Sequence, residues 1–407
     1  MNIRLNPDSF KPNQTLVLSG SKSETNRMFL LQALFPEIKI DNISNSDDSL
    51  VMEKALKFSS DVIDVHHAGT AMRFLTAFFA TQENREVVLT GSSRMQERPI
   101  HILVDALRSL GADIQYLNQE GFPPLKIKGK KLKSNKIAIP ANISSQYISA
   151  LLLIAPKLEN GLSIELIGEQ TSLPYIKMTL ALLNEIRVET TFIENQIQVF
   201  PKAKIDSKII TVESDWSSAS YFFELIAFSE IGTSLKIQKL KSNSLQADRA
   251  VVEIFEQFGV QTQFLPNNEI QITKVSNQIL SEINLNLIEC PDIAQTIAVT
   301  CFGLGIQASL TGLHTLKIKE TDRLVALKNE LEKFDAVVEI SNDSLFLDKR
   351  NLQNVLPENV LVKSYQDHRM AMAFAPLVLF TSLEIENAEV VSKSYPKFWK
   401  DIFSLFL

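Results

Sequence analysis

Residues 68–90, AGTAMRFLTAFFATQENREVVLT, show the pattern on which the whole chain is built. Gly69 and Thr70 stand before a long apolar run, so a helix is expected from about Thr70. Residues 86–90, rich in Val and Thr, read as a strand. The same alternation continues outward in both directions. Strand candidates lie at 14–18, 125–127, 163–167, 197–200, 234–237 and 269–272. Helices are expected to open at about Ser21, Pro99, Ser145, Pro174, Ser217, Asp248, Asp292, Glu320, His368 and Tyr395, positions rich in the Ser, Thr, Asp and Pro of helix starts. A unit of strand, helix, strand, helix and β-hairpin recurs about every 60 to 70 residues, giving roughly six units. The rhythm predicts an α/β or α+β fold.

With 407 residues, the chain is too long for one ordinary core, and two domains are expected. Hydrophobic content of 45% and charged content of 22% are those of a soluble globular protein. The opening MNIRLNPDSF has no basic region followed by an apolar stretch, and residues 370–380 are too few to span a bilayer. Cys290 and Cys301 are a poor basis for a disulfide framework, so a reducing cytoplasm is expected. No H-E-x-x-H occurs, and His66 and His67 would point to opposite faces of a strand, so no metal site is expected. The acidic balance, with no aromatic-basic stripe, argues against nucleic acid.

Four clusters place an arginine at the start of an apolar run: 20–27 (GSKSETNR), 68–73 (AGTAMR), 319–323 (KETDR) and 367–370 (DHRM). Helix N-termini with free N–H groups and an added guanidinium receive carboxylates and phosphates. A net charge of -6 would repel anions from the general surface, so convergent cations would have to form a local site. Each cluster also has a plain structural reading. Ser21 with Glu24 makes a capping box. Residues 94–99 could be a solvated charged loop, and Ser144-Ser145 and Ser172-Leu173-Pro174 could be caps, as could Pro291-Asp292. Lys319 and Arg323, four apart, would share one face of a salt-bridged helix. A P-loop is excluded, because Thr15 stands where its first glycine belongs.

Taken in order, GSKSETNR, AGTAMR, RMQERPI, SSQY, KETDR and QDHRMAM resemble the signature blocks of the 5-enolpyruvylshikimate-3-phosphate synthase family over residues 20–395. The resemblance implies two similar domains, each of three repeated strand-helix units with helices inside and sheets outside, and an active site in the interdomain cleft. The domains would be 1–20 with 213–407, and 21–212. It implies transfer of the enolpyruvyl group of phosphoenolpyruvate to the 5-hydroxyl of shikimate 3-phosphate, without a cofactor, by a cytoplasmic monomer. Asp292, Glu320 and Lys22 would be catalytic. Shikimate 3-phosphate would be held by Lys22, Ser23, Arg27, Ser144, Ser145, Gln146, Ser172, Tyr175, Asp292 and Lys319. Phosphoenolpyruvate would be held by Lys22, Gly69, Thr70, Arg98, Gln146, Arg323, Arg369 and Lys393. His67 departs from the family's Asn before Ala-Gly-Thr and would add a titrating group there. The loop at 94–99 lacks the cysteine typical of the sister family that acts on UDP-N-acetylglucosamine. A catalytically dead anion-binding protein would be expected to lose Asp292, Glu320 or Lys22, and all three are present.

Overall fold

The structure is a computed structural model that describes residues 1–7, 10–11, 13–57, 60–140, 145–168, 173–278 and 280–406. Ser144 and Ser172, both expected at the site, lie outside the described residues. Two compact units emerge: Gly20–Val212 is one, and Met1–Ser19 with Glu213–Leu407 is the other. Each has its own buried hydrophobic core. None of the helices formed by the described residues is long and apolar enough to cross a membrane.

One topological motif recurs within both units. Val62–Asp64 lies parallel to Glu86–Thr90, and the hairpin of Asp113–Tyr116 and Leu125–Lys128 then adds antiparallel through its second strand. Lys136–Pro140, Leu162–Ile167 and the hairpin Thr190–Ile193/Gln196–Val199 repeat this order. In the other unit, Gln14–Val17, Ser234–Gln238 and the hairpin Val260–Leu265/Glu269–Lys274 do so again. Glu282–Asn286, Gln307–Thr311 and the hairpin Val338–Ile340/Leu345–Leu347 give a fourth copy. Two smaller sheets depart from it: Ile38–Asp41 with Lys208–Thr211, and Ile3–Leu5 with Leu383–Ile385 and Val360–Val362. A parallel pair needs a crossover, and a helix fills it, which is why strand and helix alternate in sequence.

Burial separates the layers. Gly69–Ala80 buries every residue but Thr70, and Ser145–Ile154 every one but Gln146. In the other unit, Trp216–Phe228 and Ala294–Leu304 are almost wholly buried. Helices that are apolar all round belong inside. The strands instead alternate, as in Glu269–Lys274, with one face on the helices and the other toward solvent.

All seven strand candidates are strands. The helix openings hold less closely. Asp248 and Asp292 begin in short 3-10 turns before Val251–Glu256 and Ala294–Leu304, while the openings near Pro99 and Tyr395 move to His101 and Phe398. The helix Asp47–Lys57, marked by two acids in its first turn, was not among the candidates. Ser21 is an N-cap by position, but its side chain makes no capping bond, so the capping box is not formed there. KETDR is not a helical face. Asp322 accepts from the N–H groups of Leu324 and Val325, so the helix starts at Arg323 and leaves Lys319 and Glu320 ahead of it. His66 and His67 lie in a turn after Val62–Asp64, not in a strand.

Buried on the helix Trp216–Phe228, Glu224 has no hydrogen bond to either carboxylate oxygen among the described residues. Burial pushes its carboxyl well above the ordinary value. The folded state therefore holds this proton more tightly than the unfolded chain, and stability falls as pH rises from the ordinary carboxyl range through the raised value. Glu224→Met should stabilise the protein by about 1–3 kcal/mol at about pH 8 and by less at about pH 5. Denaturant titrations at both pH values check this; a loss of stability at the higher pH would contradict it.

Candidate active site

The unit Gly20–Val212 carries one cluster. Arg27, on the helix Lys22–Leu34, is buried and spends its donors on Ser23 O (2.8 Å), Thr179 Oγ1 (2.8 Å), Ser149 Oγ (3.1 Å) and Tyr175 O (3.4 Å). Its guanidinium also lies 5.4 Å from the Phe74 ring centroid and 6.0 Å from that of Tyr175. No carboxylate is among these partners, and burial lowers its pKa to about 10. Arg27 thus fixes the backbone at Ser23 and Tyr175 before any ligand arrives. Lys22 is freer, with Nζ 3.2 Å from Asp48 Oδ2.

Arg98 lies against Gly69, and a Cβ at Gly69 would come within 2.7 Å of Arg98 Nη1, so a side chain there would require the guanidinium to shift. The space is occupied by a guanidinium. Among the described residues Arg98 makes no side-chain hydrogen bond or ion pair, and it is only partly buried. Arg73 stands behind it, buried, donating to Gly69 O (3.2 Å) and Pro99 O (3.2 Å) and so clasping the loop 94–99 to the helix Gly69–Ala80. Burial first, and Arg98 second, lower the Arg73 pKa to about 10. Gln146 Nε2 donates to Thr70 Oγ1 (3.3 Å), joining two more expected residues, and Ser145 is buried beside it in sequence.

The second cluster belongs to the unit Met1–Ser19 with Glu213–Leu407. Arg323, 1% exposed, meets three carboxylates: Asp367 (Nε–Oδ2 2.6 Å), Asp292 (Nη1–Oδ1 3.0 Å) and Glu320 (Nη2–Oε2 3.0 Å). Lys319 reaches Asp292 Oδ1 (3.4 Å), and Arg369 reaches Asp292 Oδ2 (3.2 Å) and its backbone carbonyl (2.9 Å). Lys393, nearly buried, sits 2.8 Å from Glu320 Oε1. In this directly paired network four cations share three carboxylates. Burial alone would raise the Asp292 carboxyl, but Arg369, Lys319 and Arg323 outweigh it and hold it well below the usual range. Burial would likewise lower Arg369, yet Asp292 leads the acids that carry it well above its ordinary value.

Three participants carry no role in the sequence reading. Asp367 caps the helix His368–Phe374 through Arg369 N (2.9 Å) while holding Arg323; its place before the expected helix start at His368 was the available signal. Asp248 accepts a short hydrogen bond from Ser217 Oγ, which also receives Arg369 Nη2 (3.4 Å). Burial, with Asp292 second, pushes Asp248 up to about 6. Asp48 was missed with its helix.

Chemically, each unit offers a cluster of cations, and in the unit Met1–Ser19 with Glu213–Leu407 two carboxylates, Asp292 and Glu320, are linked through one guanidinium. Comparison with known proteins shows what the chain is similar to. The family model for EPSP synthase (3-phosphoshikimate 1-carboxyvinyltransferase) matches residues 53–402. The chain is 42% identical over 392 residues to a 3-phosphoshikimate 1-carboxyvinyltransferase of Bacteroides fragilis (strain YCH46), covering 95% of this chain and 94% of the relative. A protein of that name from Haemophilus influenzae (strain ATCC 51907 / DSM 11121 / KW20 / Rd) is 36% identical over 428 residues, covering 97% and 96%. In fold, the chain is similar to EPSP synthase from Acinetobacter baumannii, with a TM-score of 0.81 at 21% identity over 100% of this chain and 98% of that one. With its sequence matched nearly end to end and its cationic clusters carried on that fold, the chain belongs to the EPSP synthase (3-phosphoshikimate 1-carboxyvinyltransferase) family.

Proposed function

We propose that this protein transfers the enolpyruvyl group of phosphoenolpyruvate to the 5-hydroxyl of shikimate 3-phosphate, releasing phosphate, as a step in aromatic amino acid biosynthesis. Beside the family membership, the observation that carries the reading is Arg323 holding Asp292 and Glu320 at 3.0 Å each, which places two proton-handling groups around one cation. The reaction needs two such groups. One proton leaves the hydroxyl as its oxygen bonds to the enol carbon, and one arrives at the methylene carbon. A tetrahedral ketal-phosphate results. Its collapse returns a methyl proton and breaks the bond between carbon and the phosphate's bridging oxygen.

Asp292 is assigned to the hydroxyl and Glu320 to the methylene, with Lys22 bridging the hydroxyl and the phosphate oxygen. Asp292 is a weak base while three cations surround it. Substrate phosphates, each bringing about -1.5 to -2 of charge, compete for those cations, and loosening them raises the basicity of Asp292 when it is needed. Lys22, Ser23, Arg27, Ser144, Ser145, Gln146, Ser172, Tyr175, Asp292 and Lys319 are assigned to shikimate 3-phosphate. Lys22, Gly69, Thr70, Arg98, Gln146, Arg323, Arg369 and Lys393 are assigned to phosphoenolpyruvate. That Arg98 has no acid partner among the described residues supports its place in that set, since such a guanidinium is ready for an anion. A cytoplasmic monomer is part of the same reading.

The test is phosphate release from phosphoenolpyruvate with shikimate 3-phosphate as acceptor, set against UDP-N-acetylglucosamine. Release should require the first; release with only the sugar nucleotide would overturn the assignment. Glu320→Gln and Asp292→Asn keep side-chain size and remove the titrating group, so turnover should fall about 10²- to 10⁴-fold with the fold retained. Near-normal turnover in both would make these carboxylates structural. Gly69→Ala should displace Arg98 and weaken phosphoenolpyruvate in calorimetric titrations while sparing shikimate 3-phosphate. Equal loss for both ligands would contradict the division of labour.

A further inference from the structure

The turn preceding Gly69 brings a second basic side chain to the carboxylate that holds Lys22. Asp64 Oδ1 accepts a hydrogen bond from the His66 backbone N–H (2.7 Å), and His66 takes a left-handed φ of 49°, so the chain bends out of the strand before His67. His67 Nε2 then lies 3.8 Å from Asp48 Oδ1, with its side chain 48% exposed. Asp48 belongs to the first turn of the helix Asp47–Lys57, and its carboxylate is only 5% exposed. Its Oδ2 accepts from Lys22 Nζ at 3.2 Å, whereas its buried Oδ1 has no hydrogen-bond partner among the described residues. One buried carboxylate therefore faces a lysine on one oxygen and an imidazole on the other.

We infer that His67 and Lys22 compete for Asp48, and that protonation of His67 frees the Lys22 ammonium for anionic substrates. The inference rests on the function proposed above, in which Lys22 touches both ligands. A neutral imidazole at 3.8 Å draws little on a carboxylate; an imidazolium draws strongly, and histidine is the side chain that changes charge across the physiological range. Each cation that Asp48 accepts weakens its hold on the other. Lys22, on a flexible four-carbon stem with its side chain 20% exposed, can then swing away. Among the described residues, the charged and titrating groups near His67 include Asp48 and Lys22 from two helices, Asp64 and His66 from the segment it follows, and Arg98 against Gly69 two residues on. Asp64 is already engaged by His66, with Nδ1 3.7 Å from Oδ2. Asp48 favours the imidazolium, while Lys22 and Arg98 oppose it. Affinity for anionic substrate should accordingly rise as pH falls through the His67 titration. This makes His67 a positioning residue, acting through Asp48 on Lys22.

The titration can be read directly in the ligand-free, full-length protein labelled with 15N in histidine, its His67 resonance assigned by loss in His67→Asn. Asp48→Asn should lower the His67 midpoint and Lys22→Met should raise it; a midpoint unmoved by both overturns the competition. Equilibrium binding of shikimate 3-phosphate, compared between the wild type and His67→Asn, cancels the ligand's own protonation. The two proteins should agree at about pH 8.5, and at about pH 5.5 the wild type should bind about two- to fivefold tighter. A ratio that stays constant with pH overturns the inference. Absence of binding at both pH values would instead overturn the proposed reaction, whereas the ligand-free titration decides the competition by itself.

Discussion

A fully buried guanidinium needs hydrogen-bonding partners, and Arg323 draws three carboxylates from three separate segments of the chain. Asp292 comes from the turn ahead of Ala294–Leu304, Glu320 from the stretch before Arg323 itself, and Asp367 from the cap of His368–Phe374. Leaving such a charge without partners would cost several kcal/mol, about 3–5 when one partner of a buried pair is removed. The network is therefore a folding constraint as much as a chemical one. It fixes where three helix starts lie within their unit, and in doing so holds the two carboxylates in place before a substrate arrives.

The other unit handles buried arginines in a different way. Arg27 and Arg73 donate to carbonyls and hydroxyls rather than to carboxylates, and burial lowers both to about 10. Their charge is left uncancelled by these neutral partners, and Arg98 adds to it from the loop that Arg73 clasps. Against them Asp48 is the carboxylate that engages Lys22. Two solutions to the same physical problem thus give the units different characters. One holds its buried arginines on neutral acceptors, beside an Arg98 with no acid partner among the described residues; the other is a salt-bridged network of cations and carboxylates.

The architecture was legible from sequence because both periodicities are strong. The run from Gly69 to Ala80 is predominantly apolar and buried on nearly every face, and strands such as Glu269–Lys274 alternate cleanly, so burial dictates element type with little competition from local preference. The misreadings came from side chains with two uses. Lys319 and Arg323 are spaced as neighbours on a helix, but Asp322 between them is a better cap than helix member, and its bonds to Leu324 and Val325 start the helix later. Two adjacent histidines look strand-like until Asp64 turns the backbone at His66. Asp48, Asp248 and Asp367 meet partners distant in sequence: 26 positions for Asp48 and Lys22, 31 for Asp248 and Ser217, 44 for Asp367 and Arg323. No local pattern announces such pairs, whereas the arginines and lysines they serve stand out as clusters.

In the proposed reaction a carbon–oxygen bond of phosphoenolpyruvate breaks, with the cations receiving a departing phosphate. Phosphoenolpyruvate carrying 18O in its bridging oxygen, turned over with shikimate 3-phosphate and followed by 31P NMR, tests this directly. The label should appear in the released phosphate, shifting its resonance. Retention of the label in the organic product, with unlabelled phosphate released, would mean that the phosphorus–oxygen bond is the one cleaved, and would contradict the addition and elimination described here.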